Sequence, residues 1–162
     1  MKRVSGADGV FIFYVFVLVL RYVVFKLFYA VCGGGFALVF EVAFEVLGYA
    51  EEEFERALRE RDFMLYRNAA DKAFLALVIA VNEYLERRVG VVPRSHRERR
   101  EILRKIGRED LRALYSDLMR TLHDEAFYEG VYNPDEVRYA IGKVRSVIEE
   151  LKRDFEGCGG KT

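Results

Sequence analysis

From Phe36 onward, apolar positions recur at alternating steps of four and three: Phe36, Phe40, Ala43, Leu47, Ala50, Phe54 and Ala57. That spacing predicts an amphipathic helix ending near Arg61, with one seam facing a partner. A second seam follows at Tyr66, Ala70, Ala73, Leu77, Ala80 and Tyr84. Its alanines let two helices approach closely, so the two segments form an antiparallel hairpin with a short turn near Asp62. Gly90 and Pro93 close the hairpin. Ser95 and Glu98 then have the spacing of a capping box, opening a short helix that runs to Ile106 and stops at Gly107. Glu109 and Asp110 suit the positive end of a fourth helix, whose apolar face carries Leu111, Tyr115, Leu118 and Leu122 before Gly130 stops it. The fifth start is the clearest, with Asn133 as cap, Pro134 in the first turn, and an apolar stripe of Val137, Ile141, Val144, Ile148, Leu151 and Phe155.

The chain therefore reads as an all-α bundle of four to five helices with short connections. Residues 36–156 form the helical domain and 157–162 a flexible tail. Residues 1–35 differ. Val10 to Leu20 is unbroken apolar and aromatic, and the run resumes past Arg21 and Lys26 to Cys32 and Gly33 to Gly35. Residues 10–31 could just span a hydrocarbon core, which needs about 20 residues, yet each internal charge costs about 2.5–3.5 kcal/mol near its centre. A membrane anchor, an extra packed segment and a start placed too far upstream are the three readings of this leader.

With 162 residues, one domain is the default. The 26 basic and 26 acidic residues cancel, so no global field draws the protein to nucleic acid or membrane, and any basic surface is local. The charge-rich, amide-poor composition suits a thermophilic source. Cys32 and Cys158 lie far apart without a CxxC or a nearby His, which leaves no recognisable zinc site and favours a reduced, cytoplasmic interior over a disulfide between the ends. No metal and no other cofactor is expected. The acidic run Glu51, Glu52, Glu53 and Glu55 reads as a solvated helix face, because consecutive side chains diverge. Gly33 to Gly35 lacks the Lys and Ser/Thr of a phosphate loop.

The candidate chemistry lies in Leu118 to Gly130, LMRTLHDEAFYEG. A helical period puts Arg120 and His123 on one face, three residues apart. Histidine can take or give a proton near neutral pH, and arginine can hold a phosphate without changing charge. Those are the two functions needed to cleave RNA without metal: the base takes the 2′-hydroxyl proton, the oxygen attacks phosphorus, and a cation stabilises the developing charge. The competing reading is an exposed ion-pair cluster in which Asp117, Asp124 and Glu125 pair with Arg120 or His123. The densest basic stretch holds Arg94, Arg97, Arg99, Arg100, Arg104, Lys105 and Arg108. Of these, Arg94, Arg97, Arg100, Arg104 and Lys105 are the candidate phosphate contacts, set against a solvated helix balanced by Glu98 and Glu101. His96, at the start of that helix, reads as surface.

The hairpin, the basic third helix, the LHDEAFYEG end of the fourth and the fifth helix NPDEVRYAIGKVRSVIEEL resemble archaeal PaREP1-type proteins of the HEPN superfamily. The resemblance covers residues 36–155. It implies a short helical bundle that homodimerises and acts as an RNA-binding protein or a metal-independent endoribonuclease, in some cases a toxin with a small nucleotidyltransferase as antitoxin partner. It places Arg120 and His123 on the catalytic helix, with Asp124 and Tyr128 as modulating neighbours. The chain departs from the active pattern: only Thr121 and Leu122 separate the Arg from the His, fewer than active members usually have. Tyr128, five residues after His123, also lies farther along than the tyrosine that partner enzymes modify in some systems. A degenerate, non-cleaving relative is therefore one expectation, and a non-catalytic adaptor or membrane-associated interaction module is the alternative.

Overall fold

The helix expected after Phe36 runs over Leu38–Glu60 (α1), and its seam is core: Phe40, Ala43, Leu47, Ala50, Phe54 and Ala57 are each at most 2% exposed. The computed structural model describes residues 38–156; the apolar leader, Phe36, both cysteines, the glycine run and the tail lie outside them. Four further helices follow: α2 Phe63–Val89, α3 His96–Lys105, α4 Glu109–Leu118 and α5 Pro134–Glu156. Between α4 and α5 the helix does not stop at Leu118. It continues without a break as a π-helix over Met119–Glu129, with i→i+5 closure in place of i→i+4.

Helix α2 is the central element. Twelve of its 27 residues are buried, and they cover more than half of the helix circumference, with most of the opposite face half-buried. The stripe of Ala69, Ala70, Ala73, Ala76 and Ala80, all fully buried, carries little side-chain bulk and lets neighbouring helices close on it. Asp62 caps α2 by accepting from the Met64 and Leu65 N–H groups at 2.9 and 3.0 Å. Gly90, at φ 72°, ends the helix in the left-handed conformation.

Helices α1 and α5 are tied by charge along their edges: Arg145 pairs with Glu51, Arg138 with Glu55, and Lys152 with Glu41. Lys72 of α2 takes Glu53 at 2.6 Å. Glu51, Glu53 and Glu55 of the acidic run thus serve as interhelix partners, while Glu52 is exposed. The members of the run diverge as consecutive residues must, and no group of three metal-ligating side chains occurs among the described residues. Ser95 accepts from the Glu98 N–H at 3.1 Å, as expected, while Glu98 reaches back to the Arg94 N–H. Asn133 caps α5, joined to Glu136 through both its amide oxygen and its amide nitrogen.

Arg108 closes the bundle at one end. Its guanidinium meets Asp110, Glu150 and Asp154 and donates to the Tyr84 hydroxyl, which pins the start of α4 to the end of α5 and raises the guanidinium's own pKa further. No helix among the described residues is long and apolar enough to cross a membrane.

Candidate active site

The π-helical segment decides how the LMRTLHDEAFYEG stretch is displayed. In an α-helix, residues three and four apart share a face; the wider i→i+5 turn shifts that pairing to residues four and five apart. His123 accordingly meets Phe127, rings stacked at 6.1 Å, and Tyr128, edge-on at 4.8 Å. Arg120 meets Glu125, at 3.9 Å. Arg120 and His123, three apart, are not brought together: no hydrogen bond, ion pair or ring contact joins them, and the Arg120 side chain is 63% exposed. The expectation that they share a face fails because it assumed an α-helical period.

The segment is held in this form at its C-terminal end. Gly130, at φ 73°, turns the chain, and the Gly130 and Val131 N–H groups both donate to the Glu125 carbonyl. Arg67 of α2 supplies the missing donors for the next carbonyls, reaching Phe127 O at 2.7 Å through Nε and Tyr128 O at 3.3 Å. Its guanidinium lies over the Phe63 and Phe127 rings.

What His123 does meet is Asp71, on α2. His123 Nδ1 is 2.8 Å from Asp71 Oδ1, and both side chains are about one-fifth exposed. A carboxylate accepts only, so Nδ1 carries the proton and donates, leaving Nε2 as the basic nitrogen. The second histidine of the chain lies beside the first: the His96 and His123 rings are 5.5 Å apart and inclined by 60°. Both rest on Phe74, at 5.3 and 5.0 Å, and Phe74 is only 2% exposed. Phe74 lies one turn beyond Asp71 on α2, so a single helix face supplies the carboxylate and the floor.

His96 is not the surface residue its position at a helix start suggests. It is half-buried, with Nδ1 2.7 Å from the Tyr115 hydroxyl and 3.3 Å from a guanidinium nitrogen of Arg99. Arg99 is only 7% exposed and donates to the Asn82 side-chain oxygen at 2.7 Å. Burial, followed by the nearby Arg99, His123 and Arg100 charges, lowers the His96 pKa below that of a free imidazole, with Asp124 opposing. The Tyr115 phenol, fully buried, is pushed up to about 12 by desolvation despite Arg99 and Arg100.

The basic stretch divides by environment. Of the expected phosphate contacts, Arg97 is turned to Glu101 at 2.9 Å; beside them, Arg99 points inward and Arg108 is saturated by three carboxylates. Arg94, Arg100, Arg104 and Lys105 enter no ion pair among the described residues, and Arg100 lies near enough to act on both His96 and Tyr115. Tyr128 is 65% exposed at the rim. Asp71, Phe74, Asn82 and Tyr115 were not expected at the site. Asp71 breaks a run of apolar and alanine positions on α2, and the chain has only two histidines; those are the signals that could have paired them.

The model of the archaeal PaREP1/PaREP8 family matches residues 45–148, a stretch that contains every side chain of this site. No curated protein and no solved structure matches the chain.

Proposed function

The chain belongs to the archaeal PaREP1/PaREP8 family, and from that premise and the histidine geometry we propose a HEPN-like, RNA-directed protein whose His123 is the general base of a metal-independent endoribonuclease. The observation that carries the reading is the 2.8 Å bond from His123 Nδ1 to Asp71. A carboxylate on Nδ1 fixes the tautomer, orients the ring and stabilises the imidazolium that forms when Nε2 takes a proton. Nε2 of His123 has no hydrogen-bond partner among the described residues. In the step proposed, Nε2 removes the proton of an RNA 2′-hydroxyl, the 2′-oxygen bonds to the adjacent phosphorus, and the bond from phosphorus to the 5′-oxygen breaks. The 5′-oxygen takes a proton from water, His123 later returns its own to solvent, and the products carry a 2′,3′-cyclic phosphate and a 5′-hydroxyl.

In this reading the cation beside the reacting phosphate is Arg100, and Arg120 is not part of the machinery. The short Arg120–His123 spacing then does not signal lost catalysis, because the base is oriented from α2. Arg94, Arg104 and Lys105 supply further backbone contacts, which makes binding salt-dependent. Homodimerisation and a nucleotidyltransferase-type antitoxin partner belong to the same proposal. Labelled RNA incubated with the protein at several salt concentrations tests it: binding that weakens with salt and cleavage abolished in His123→Ala are expected, and neither binding nor cleavage would end it.

A further inference from the structure

We propose that His96 binds a non-bridging phosphate oxygen of the RNA backbone through its Nε2–H, in a ring whose Nδ1 is locked as an acceptor by Arg99 and Tyr115. The inference rests on the RNA reading above and adds a binding residue to the same site. A guanidinium can only donate, so the Arg99 nitrogen 3.3 Å from His96 Nδ1 requires a lone pair there. Tyr115 Oη, at 2.7 Å, then donates to the same nitrogen. Arg99 cannot swing away, because it is buried and held by Asn82 at 2.7 Å. The only ring proton of His96 is therefore on Nε2, which has no partner among the described residues.

Most of the charged groups around His96 act in one direction. Arg99 and Arg100 from its own helix and His123 from the π segment all disfavour a second proton, and Asp124 alone favours one. Tyr115 from α4 is neutral, and Asp71 from α2 is engaged with His123. As the first residue of α3, His96 also sits at the positive end of a helix dipole. Protonating Nδ1 would set an N–H against the guanidinium. His96 is thus held as a donor through Nε2, with the His123 ring 5.5 Å away. The two rings are in edge-to-face contact, so a phosphodiester would lie across their outer edges, receiving a hydrogen bond of about 3 Å from His96 and offering its neighbouring 2′-hydroxyl to His123.

The test is ¹⁵N NMR of the imidazole nitrogens in the full chain from about pH 5 to about pH 8, the range over which a free histidine changes charge. It is followed by titration with uridine 3′-phosphate. His96 should show the neutral Nε2–H pattern and take a second proton only at a lower pH than a free histidine does, and the nucleotide should shift Nε2 of both rings. His96→Gln, which keeps a donor near the Nε2 position, should bind the nucleotide within about threefold of the parent, and His96→Ala should lose about tenfold, the worth of one hydrogen bond to a charged group. A neutral His96 that carries its proton on Nδ1, or one that takes its second proton at a higher pH than a free histidine, would overturn the proposal, as would a nucleotide that shifts His123 alone. If the nucleotide shifts neither ring, the RNA reading falls, and this inference with it.

Discussion

Asp71 and His123 are 52 positions apart in the chain and 2.8 Å apart in the fold, a carboxylate and an imidazole Nδ1 joined across the α2–π interface. The bond depends on two irregularities of sequence: an acidic residue within the buried run of α2, and a helix that widens after Leu118 so that His123 faces α2. An imidazole held in this way is a base with its second nitrogen free to act.

Asp71→Asn should leave the bundle folded and lower RNA cleavage by about 10²- to 10⁴-fold, the range general-base catalysis contributes. The amide can offer its N–H to Nδ1 and so favour the wrong tautomer. Single-turnover cleavage rates compared with RNA affinity separate this from lost binding, because affinity should change by less than about threefold if only the base is affected.

Arg120→Ala should be nearly silent, with cleavage unchanged and stability altered by less than about 0.5 kcal/mol, because an exposed pair at 3.9 Å contributes little. Arg100→Ala should weaken binding to all RNA sequences alike and reduce the slope of log affinity against log salt by about 0.7. Filter binding at four or five salt concentrations, with both variants in parallel, measures the contrast.

Gly130→Ala should destabilise the protein by about 1–2 kcal/mol from the left-handed backbone alone. The added Cβ would also lie 3.1 Å from the Phe63 ring, which stacks on Tyr66. Gly107→Ala, also left-handed but with nothing within 4 Å, should show the backbone cost without the contact. Urea denaturation of the two variants separates these contributions.

The lowered pKa of His96 makes stability depend on pH in a defined direction. Below the ordinary imidazole value of 6.5 the unfolded chain binds a proton that the folded chain resists, so His96's contribution is fully present above that value and is lost as pH falls below it. Thermal unfolding followed between about pH 5 and about pH 8 should show a melting temperature that falls on the acid side, less steeply in His96→Gln.

The helices were legible in the sequence because their starts and faces were marked, by apolar stripes in most and by a cap at the third and fifth. Ser95 and Asn133 cap where expected, Asp62 at the expected turn also caps a helix, and the seam positions from Phe40 to Ala57 and from Tyr66 to Tyr84 are buried. The site was legible only in part. His123 stands out by residue type, but the side chain it works with comes from a different helix, and no local period links position 71 to position 123. Nor does a sequence of good helix formers reveal that its turns close at i+5. That single change separates Arg120 from His123 and brings Phe127 and Tyr128 to the histidine instead. His96 was misplaced for a related reason. A helix start preceded by a serine cap reads as solvent-facing, whereas here it faces Phe74 and Tyr115.

The central claim is that His123, set by Asp71, cleaves RNA without a metal, and end-group analysis of RNA incubated with the protein in excess EDTA tests it most directly. The account predicts 2′,3′-cyclic phosphate termini that form with the parent protein and vanish with His123→Ala. Cleavage that needs a divalent cation, or cyclic termini that persist at the same rate in His123→Ala, would contradict it.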